Sequence, residues 1–233
     1  MLTVDFHKLG LEPGMKVLDA GCGAGRHLCE AYRSGGIDVV GIDLNWGDLE
    51  KTRSFLCLMA AECDGRWLVA KGDVTHLPFD DEIFDAVICS EVLEHISDNR
   101  QAVQELVRVL KPNRPLVVSV PRFLPERICW TLSDDYHHEP GGHIRIFKKL
   151  ELLNLLKAAG TRCQGIRYKH ALHSPYWWLK CLVGHKNDKS PLVKLYRRFL
   201  EWDIMRHPPA VRLLDKLLNP LISKSIVYYM RKG

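Results

Sequence analysis

The sequence contains no closely spaced cysteine pair, although cysteine itself is not scarce. Its eight cysteines form no C-x-x-C motif and no short disulfide-scaffold spacing; they stand at positions 22, 29, 57, 63, 89, 129, 163 and 181. This spacing argues against a disulfide framework. Free cysteines behave as small apolar residues and are typical of a reducing compartment, so we expect a cytoplasmic protein.

Long apolar runs, leader-like segments, internal repeats and low-complexity stretches are absent as well. No stretch approaches the length that a helix needs to cross a bilayer, and residues 1–5 lack the basic segment and apolar run of a secretory signal. We therefore expect no membrane-spanning segment. A chain of 233 residues can instead bury one sizeable α/β core with an appended segment.

Charge is unevenly distributed along the chain. Residues 1–170 carry 21 Lys and Arg against 24 Asp and Glu, whereas residues 171–233 carry 12 against 4. The formal net charge of +5 therefore originates in the C-terminal segment, which also begins with the aromatic cluster Tyr176-Trp177-Trp178. Basic residues beside aromatic ones suit a surface that meets a membrane or a nucleic acid.

The most informative motif is a glycine loop. A short apolar strand predicted over residues 15–18 leads into Asp19, then into glycines at positions 21, 23 and 25, and then into a helix. Glycines at alternate positions let the backbone turn tightly and approach a ligand, and such a turn is where open α/β sheets bind nucleotides. Dinucleotide-binding proteins use a similar loop, but Arg26 stands where their fingerprint has its last glycine.

Further β-strands follow along the chain. We predict them over residues 37–43, 67–70, 84–89, 116–120, 162–172 and 225–231. The second predicted strand ends in Asp43, whose carboxylate can accept two hydrogen bonds from a ribose diol, a group that NAD and S-adenosylmethionine share. A helix predicted over residues 147–159 is expected to bury Leu150, Leu153, Leu156 and Ala159.

Five segments within residues 15–121 carry a resemblance to a known family. In chain order they are VLDAGCGAG, VVGIDLN, GDVTHLPF, FDAVICSEVLEH and RVLKPNRPLVVSVP. Their order and spacing resemble the class I S-adenosylmethionine-dependent methyltransferases, and in particular the type 11 group that includes quinone-biosynthesis enzymes. The resemblance implies an α/β fold with a Rossmann-like, doubly wound, seven-stranded sheet, whose last strand is antiparallel between the fifth and the sixth. NAD becomes the less favoured cofactor.

The resemblance also implies roles for individual residues. Asp19 and the backbone of the glycine loop would surround the methionine part of S-adenosylmethionine, Asp43 would bind the ribose, and Asp73 the adenine amino group. The full set of implied cofactor-binding residues is Asp19, Gly21, Cys22, Gly23, Gly25, Asp43, Leu44, Asp73, Val74, Ser90 and Glu91. Asp19 as a helix cap and Asp43 as a solvated strand end stay open as alternatives.

Three parts of the chain are distinguished by composition and by the resemblance. Residues 1–172 are predicted to form the cofactor-binding core, residues 173–223 a helical insertion, and residues 224–233 the last core strand. Two apolar faces support the helical prediction: Leu192, Leu195, Tyr196 and Phe199, then Val211, Leu214, Leu217 and Leu218. The insertion is expected to act as an extra layer or homodimer contact, or as a lid or membrane-surface element.

Nucleic acid is a weaker alternative for the basic insertion. The enzymes that methylate adenine and cytosine amino groups carry Asn-Pro-Pro-Tyr after the fourth strand, whereas residues 89–92 here are Cys-Ser-Glu-Val. There is also no Pro-Cys pair placed like the nucleophile of a cytosine-carbon enzyme. We therefore expect no nucleic-acid partner.

Candidate substrate residues lie in residues 121–146, which we predict to be the longest loop. His137, His138 and His143 are candidates for a base that takes a proton from an acceptor hydroxyl, and Arg122 and Arg145 for anchors of an anionic substrate. For His143, a structural role in docking the helix that follows stays open as an alternative. The cluster Asp134, His137, His138 and Glu139 offers ligand types that suit a divalent metal, but a solvated polar loop is the commoner outcome. We predict no metal site, and we expect Glu94 and His95 to pack at a helix start.

These observations predict transfer of a methyl group from S-adenosylmethionine to a small-molecule or lipid-linked acceptor, at oxygen or carbon. S-adenosylhomocysteine would be the product. Two alternatives stay open: an NAD(P)-binding oxidoreductase, and a non-catalytic partner protein that binds the same cofactor.

Overall fold

The computed structural model describes residues 2–233, which form one sheet flanked by helices. The strands are β1 (Lys16–Ala20), β2 (Asp38–Asp43), β3 (Trp67–Lys71), β4 (Ala86–Ser90), β5 (Pro115–Pro121), β6 (Thr161–Lys169) and β7 (Ser225–Lys232). The helices are α1 (Arg26–Arg33), α2 (Trp46–Met59), α3 (Asn99–Arg108), α4 (Phe123–Leu132), α5 (Asp134–His137), α6 (Lys149–Ala158), α7 (His173–Val183), α8 (Pro191–Arg206) and α9 (Pro209–Ile222).

The sheet has the order β3-β2-β1-β4-β5-β7-β6. Neighbouring strands from β3 to β5 are parallel, whereas β7 is antiparallel to both β5 and β6. This arrangement confirms the predicted seven-stranded doubly wound fold and the position of its last strand. The strand order reverses between β1 and β4, and open α/β sheets bind ligands outside the carboxyl ends of the strands at such a point.

The central strands are apolar because helices cover both faces of the sheet. Successive residues therefore enter the two cores alternately: Leu18 and Val87 pack in one core, and Val17 and Ile88 in the other. All five residues of β4 are buried. This double burial fixes the register of the strands whose ends carry the predicted site.

Two predicted elements in the second half differ from the structure. Strand β6 ends at Lys169, three residues before the predicted end, because His170 adopts a left-handed φ of 69°. In α6, Leu152 and Leu156 are buried while Leu150 is 66% exposed, so the expected inward position of Leu150 is wrong. The helix begins two residues later than predicted, where the Glu151 side chain accepts a hydrogen bond from the Lys148 amide at 3.2 Å.

Residues 121–146 are not the extended loop that the sequence predicts. Helices α4 and α5 occupy residues 123–132 and 134–137. Pro125 lies in the first turn of α4, where proline is tolerated because no intrahelical donor is needed there. The Ser133 side chain accepts the Tyr136 amide at 3.2 Å and so starts α5.

The segment between β6 and β7 consists of α7, α8 and α9, which confirms that the insertion is helical. Val193 and Leu200 of α8 are buried, whereas Leu192 and Leu195 of the predicted apolar face are exposed. Helix α9 buries no side chain fully. Polar contacts hold α9 instead: the side-chain oxygen of Asn219 accepts a hydrogen bond from the Ala171 amide at 3.0 Å. Among residues 2–233, no helix has the length and apolar character needed to traverse a bilayer.

Candidate active site

The glycine loop lies against the segment that follows β4. Gly21 and Gly25 both have φ of 79°, a conformation that residues with a Cβ rarely adopt. A Cβ on Gly21 would stand 2.3 Å from a methyl of Val92, and one on Gly25 would stand 2.7 Å from a methyl of Thr52. Around Gly23, in contrast, no atom lies within 4 Å of an added Cβ. The loop is therefore packed at its ends and open in its middle.

Side chains from β2 and α2 hold the open middle of this loop. The Gly23 amide donates to Asp43 Oδ2 at 2.8 Å, and the Thr52 hydroxyl donates to the Gly23 carbonyl at 2.8 Å. The second Asp43 oxygen accepts the Asn45 amide at 2.8 Å. Each carboxylate oxygen keeps a further lone pair, so Asp43 can still accept hydrogen bonds from a diol.

Asp19 at the end of β1 is a buried carboxylate without a partner. It is 1% exposed, and neither oxygen accepts a hydrogen bond from the described residues. Burial raises the pKa of Asp19 to about 7, against the opposing influence of Arg26. An unpaired buried carboxylate is costly unless a cation or a donor compensates it. A cationic ligand such as S-adenosylmethionine, which carries a sulfonium and an ammonium group, fits this position.

The other implied cofactor residues lie at the ends of β1, β2 and β3. Asp73 is exposed, and its Oδ1 accepts the Thr75 amide at 2.9 Å, which shapes the turn around the buried Val74. Leu44 is largely exposed. Burial raises the pKa of the Cys22 thiol, which is therefore neutral and packs as a small apolar group.

Ser90 and Glu91 form a hydrogen-bonded chain with Ser119 of β5. The hydroxyls of Ser90 and Ser119 lie 2.8 Å apart, and Ser119 donates to Glu91 Oε1 at 2.9 Å. Glu91 has a left-handed φ of 59° and donates its amide to the Ser119 carbonyl at 2.9 Å. Burial raises the pKa of Glu91, although Lys224 and Ser119 oppose the shift.

A buried carboxylate that the sequence did not single out connects three side chains near Glu91. Glu126 of α4 is fully buried and accepts hydrogen bonds from His143 Nδ1 at 2.6 Å, from the Tyr136 hydroxyl at 2.9 Å and from Lys224 Nζ. Burial favours the neutral acid, but His143 and Lys224 outweigh it and hold the pKa of Glu126 at about 2. The available signal was an acid that, apart from the adjacent Arg127, stands among apolar residues in the sequence Phe-Leu-Pro-Glu-Arg-Ile-Cys-Trp.

A cavity of about 570 Å³ lies beside this network. Its lining includes Glu91 after β4, Tyr136 and His143 from the segment after α4, Trp177 of α7, and Lys224 before β7. The insertion therefore contributes an aromatic wall to the same cavity. Trp178 anchors α7 by donating to the Pro125 carbonyl at 3.0 Å.

Of the predicted catalytic histidines, the structure brings only His143 to this cavity. His137 stacks on Trp130 with ring centroids 3.9 Å apart, and His138 Nδ1 lies 3.0 Å from the Asp134 carbonyl oxygen on the surface. The cluster considered for a metal does not converge either, because Glu139 pairs with His185 at 2.8 Å.

The two predicted anchor arginines make structural contacts. Arg122 donates to the carbonyl oxygens of Asn219 at 3.2 Å and Pro220 at 2.8 Å, and so ties α9 to the sheet. Arg145 donates to the Ser97 carbonyl at 2.7 Å. Each guanidinium therefore connects two parts of the chain, which differs from the expected role in substrate binding.

The fold and the glycine loop resemble those of the class I S-adenosylmethionine-dependent methyltransferases. Residues 18–118 match the family described as "Methyltransferase domain". Together with the segments that resemble the type 11 group, this match assigns these residues to the S-adenosylmethionine-dependent methyltransferases, and it does not favour the NAD(P) alternative.

Three similar proteins illustrate the assignment. The chain is 34% identical over 147 residues to cycloartenol-C-24-methyltransferase 1 of Oryza sativa subsp. japonica, covering 63% of this chain and 40% of that one. It is 37% identical over 136 residues to demethylmenaquinone methyltransferase of Renibacterium salmoninarum, covering 56% of this chain and 52% of that one. A putative methyltransferase from Bacillus halodurans shares the fold with a TM-score of 0.64 at 20% identity, covering 98% of this chain and 96% of that one. The matched region thus spans about half or less of the two curated relatives' lengths.

Proposed function

We propose that this protein transfers the methyl group of S-adenosylmethionine to a small-molecule or lipid-linked acceptor, at oxygen or carbon. The observation that carries the proposal is the unpartnered buried carboxylate of Asp19 next to a glycine loop that is open at Gly23. The names of the two curated relatives, which refer to cycloartenol and demethylmenaquinone, support an apolar acceptor.

Each cofactor residue has a role in this proposal that its surroundings permit. Asp19 compensates the positive charge of the methionine part, Asp43 accepts the ribose hydroxyls while holding Gly23, and Asp73 with the Val74 backbone binds the adenine amino group. S-adenosylmethionine supplies a methyl group on a sulfonium. The protein has to align the acceptor with that methyl, and alignment alone accounts for a large part of the rate increase in such reactions.

The cavity beside Glu126 is the proposed acceptor site. Trp177 and Tyr136 offer apolar surface, whereas Lys224 and Glu91 offer charge. Among the predicted histidines only His143 lines the cavity, with its Nδ1 fixed by Glu126. We assign its Nε2 to contact with the acceptor or with a group that activates the acceptor.

Binding calorimetry tests the cofactor assignment. S-adenosylhomocysteine is expected to bind and NADH is not, and the double variant D43A/D73A is expected to lose at least tenfold in S-adenosylhomocysteine affinity. Glu50→Ala on the exposed side of α2 is the control that leaves affinity unchanged. Binding of NADH alone would favour the oxidoreductase alternative. Unchanged S-adenosylhomocysteine affinity in the double variant would contradict the assignment of Asp43 and Asp73 to the cofactor site.

Methyl transfer itself requires a separate experiment. Labelled S-adenosylmethionine is incubated with the protein and with metabolite and lipid extracts, and labelled products are expected in a lipid or small-molecule fraction. S-adenosylhomocysteine binding without any labelled product would favour the non-catalytic partner protein.

We also infer that α8 and α9 contact an anionic membrane surface. Leu195, Met205, Leu213 and Leu217 are exposed on these helices, and residues 171–233 carry 12 basic against 4 acidic residues. Exposed leucines beside basic residues suit an interfacial helix pair. Vesicles with anionic phospholipid are expected to carry the protein in flotation, and L213S/L217S is expected to weaken this binding. Absence of flotation together with a dimeric mass in solution would assign the face to a second copy of the chain.

A further inference from the structure

Three potential metal-ligating side chains converge at the edge of the cavity. Glu94, His95 and His143 each offer one ligand atom, and these atoms lie within 4.8 Å of one another. Glu94 and His95 belong to a short helical turn after β4, Leu93–His95. The Ile144 amide donates to the Glu94 carbonyl at 3.0 Å, so it brings the neighbouring His143 against this turn. Residues far apart in the sequence are thus held together by the backbone.

Both histidines are oriented in the same way. Nδ1 of His95 lies 3.0 Å from the carbonyl oxygen of Gly142, and Nδ1 of His143 lies 2.6 Å from Oε1 of Glu126. A carbonyl oxygen and an ionised carboxylate only accept hydrogen bonds, so each Nδ1 carries the hydrogen. In the neutral ring, the lone pair is then on Nε2. Metal-binding histidines are oriented by such hydrogen bonds from the second ring nitrogen to a carboxylate or a carbonyl.

Glu94 supplies a third donor that the protein itself leaves without a partner. It is 1% exposed, and neither carboxylate oxygen accepts a hydrogen bond from the described residues. A cation between this carboxylate and the two imidazoles would compensate a group that is otherwise costly to bury.

We propose that Glu94, His95 and His143 bind a divalent first-row transition metal ion such as Zn²⁺, Mn²⁺ or Co²⁺. Two imidazoles and one carboxylate form a donor set that these ions accept with coordination positions left open, whereas Mg²⁺ and Ca²⁺ prefer oxygen ligands. His95 is exposed, which gives the ion a path of entry, and His143 lines the cavity, which places the ion beside the proposed acceptor.

The ion would hold and polarise an oxygen of the acceptor at one of its open positions. This use of the site rests on the proposed methyl transfer, but metal binding itself does not. Binding of the ion is therefore measured on the full chain without cofactor or acceptor.

The test is a pair of titrations of the chelator-treated protein. Binding of Co²⁺ is monitored by visible absorption, and binding of Zn²⁺ is measured by metal analysis after gel filtration. One ion per chain is expected. E94Q and H143Q are expected to lose about 100-fold in affinity, and E126Q about 10–100-fold because it removes the orienting partner of His143. The matched control H138Q alters an exposed histidine of the same segment and should bind like the unmodified chain.

Two further measurements keep the test decisive. Calorimetry with S-adenosylhomocysteine reports whether each variant is folded and also tests the proposed function independently. If E94Q does not fold, H95Q replaces it, since His95 is on the surface. Absence of a stoichiometric ion, equal affinity in the unmodified chain and the folded variants, or binding of Mg²⁺ in preference to Co²⁺ and Zn²⁺ would overturn the proposal.

Discussion

The two halves of the proposed site, one for the cofactor and one for the acceptor, are built by different means. On the cofactor side, at β1 and β2, the backbone provides the shape: Gly23 bonds to Asp43, and Gly21 fits against Val92. On the acceptor side, buried side chains from separate segments provide it, with Glu126 joined to His143 and Lys224. The first half depends on conformations that only glycine adopts easily, and the second on charges that compensate one another away from water.

The largest loss of stability is expected when the charge network of the proposed acceptor side is broken. Glu126→Ala leaves the Lys224 ammonium, whose side chain is 14% exposed, without its carboxylate. Removing one partner of a buried ion pair costs about 3–5 kcal/mol in the free energy of unfolding. Urea denaturation measures the loss. The matched control is Lys51→Ala, which removes an exposed ion pair with Asp48 and should cost less than about 1 kcal/mol. Equal losses in the two variants would contradict the role of burial.

A smaller effect of opposite sign is expected on the cofactor side. The pKa of Asp19 is about 7 in the fold and 3.8 in the unfolded reference, so the folded protein holds an extra proton between these values. The contribution of Asp19 to the free energy of unfolding therefore falls as pH rises from about 4 to about 7 and stays low above that. The Asn side chain of Asp19→Asn does not ionise, so this variant does not lose stability as the pH rises. It should be more stable than the unmodified protein by about 2–4 kcal/mol at pH 8.

Denaturant titrations at about pH 4 and pH 8 measure this difference. The stabilisation by Asp19→Asn should be small at the lower pH and full at the higher one, and the variant should bind S-adenosylmethionine more weakly. A stabilisation that does not change with pH would show that Asp19 does not titrate between the two values.

The smallest effect is expected from a comparison of two glycines at opposite ends of β1. Gly21 and Gly14 both have positive φ, of 79° and 88°, but only a Cβ on Gly21 meets another residue. Gly21→Ala should therefore be less stable than Gly14→Ala by about 1–2 kcal/mol, and it alone should weaken S-adenosylhomocysteine binding. Adding Val92→Ala to Gly21→Ala should restore part of the stability, as thermal unfolding would show. Equal melting temperatures of the two single variants would contradict the packing argument.

The position of the proposed cofactor residues at one edge of the sheet was predictable because its signals are local in sequence. The glycines at 21, 23 and 25 and the carboxylates of Asp19 and Asp43 each stand at a strand end, and parallel strands bring their ends to one edge. The acceptor half was not predictable in the same way. His143 differs from His137 and His138 because it contacts the buried Glu126 and lines the cavity, and no periodicity indicates which of the three histidines does so.

The sequence by itself determined the glycine loop, since glycine spacing after an apolar strand is a property of neighbouring residues, and its resemblance to a known family implied the seven-stranded sheet and the position of β7. Only the tertiary structure decided that α4 places Glu126 beside His143 and Lys224, that Arg122 and Arg145 tie segments together, and that His143 meets Glu94 and His95. The physical reason is that these contacts join residues 17 to about 100 positions apart, and their partners are selected by burial and charge compensation in the folded chain.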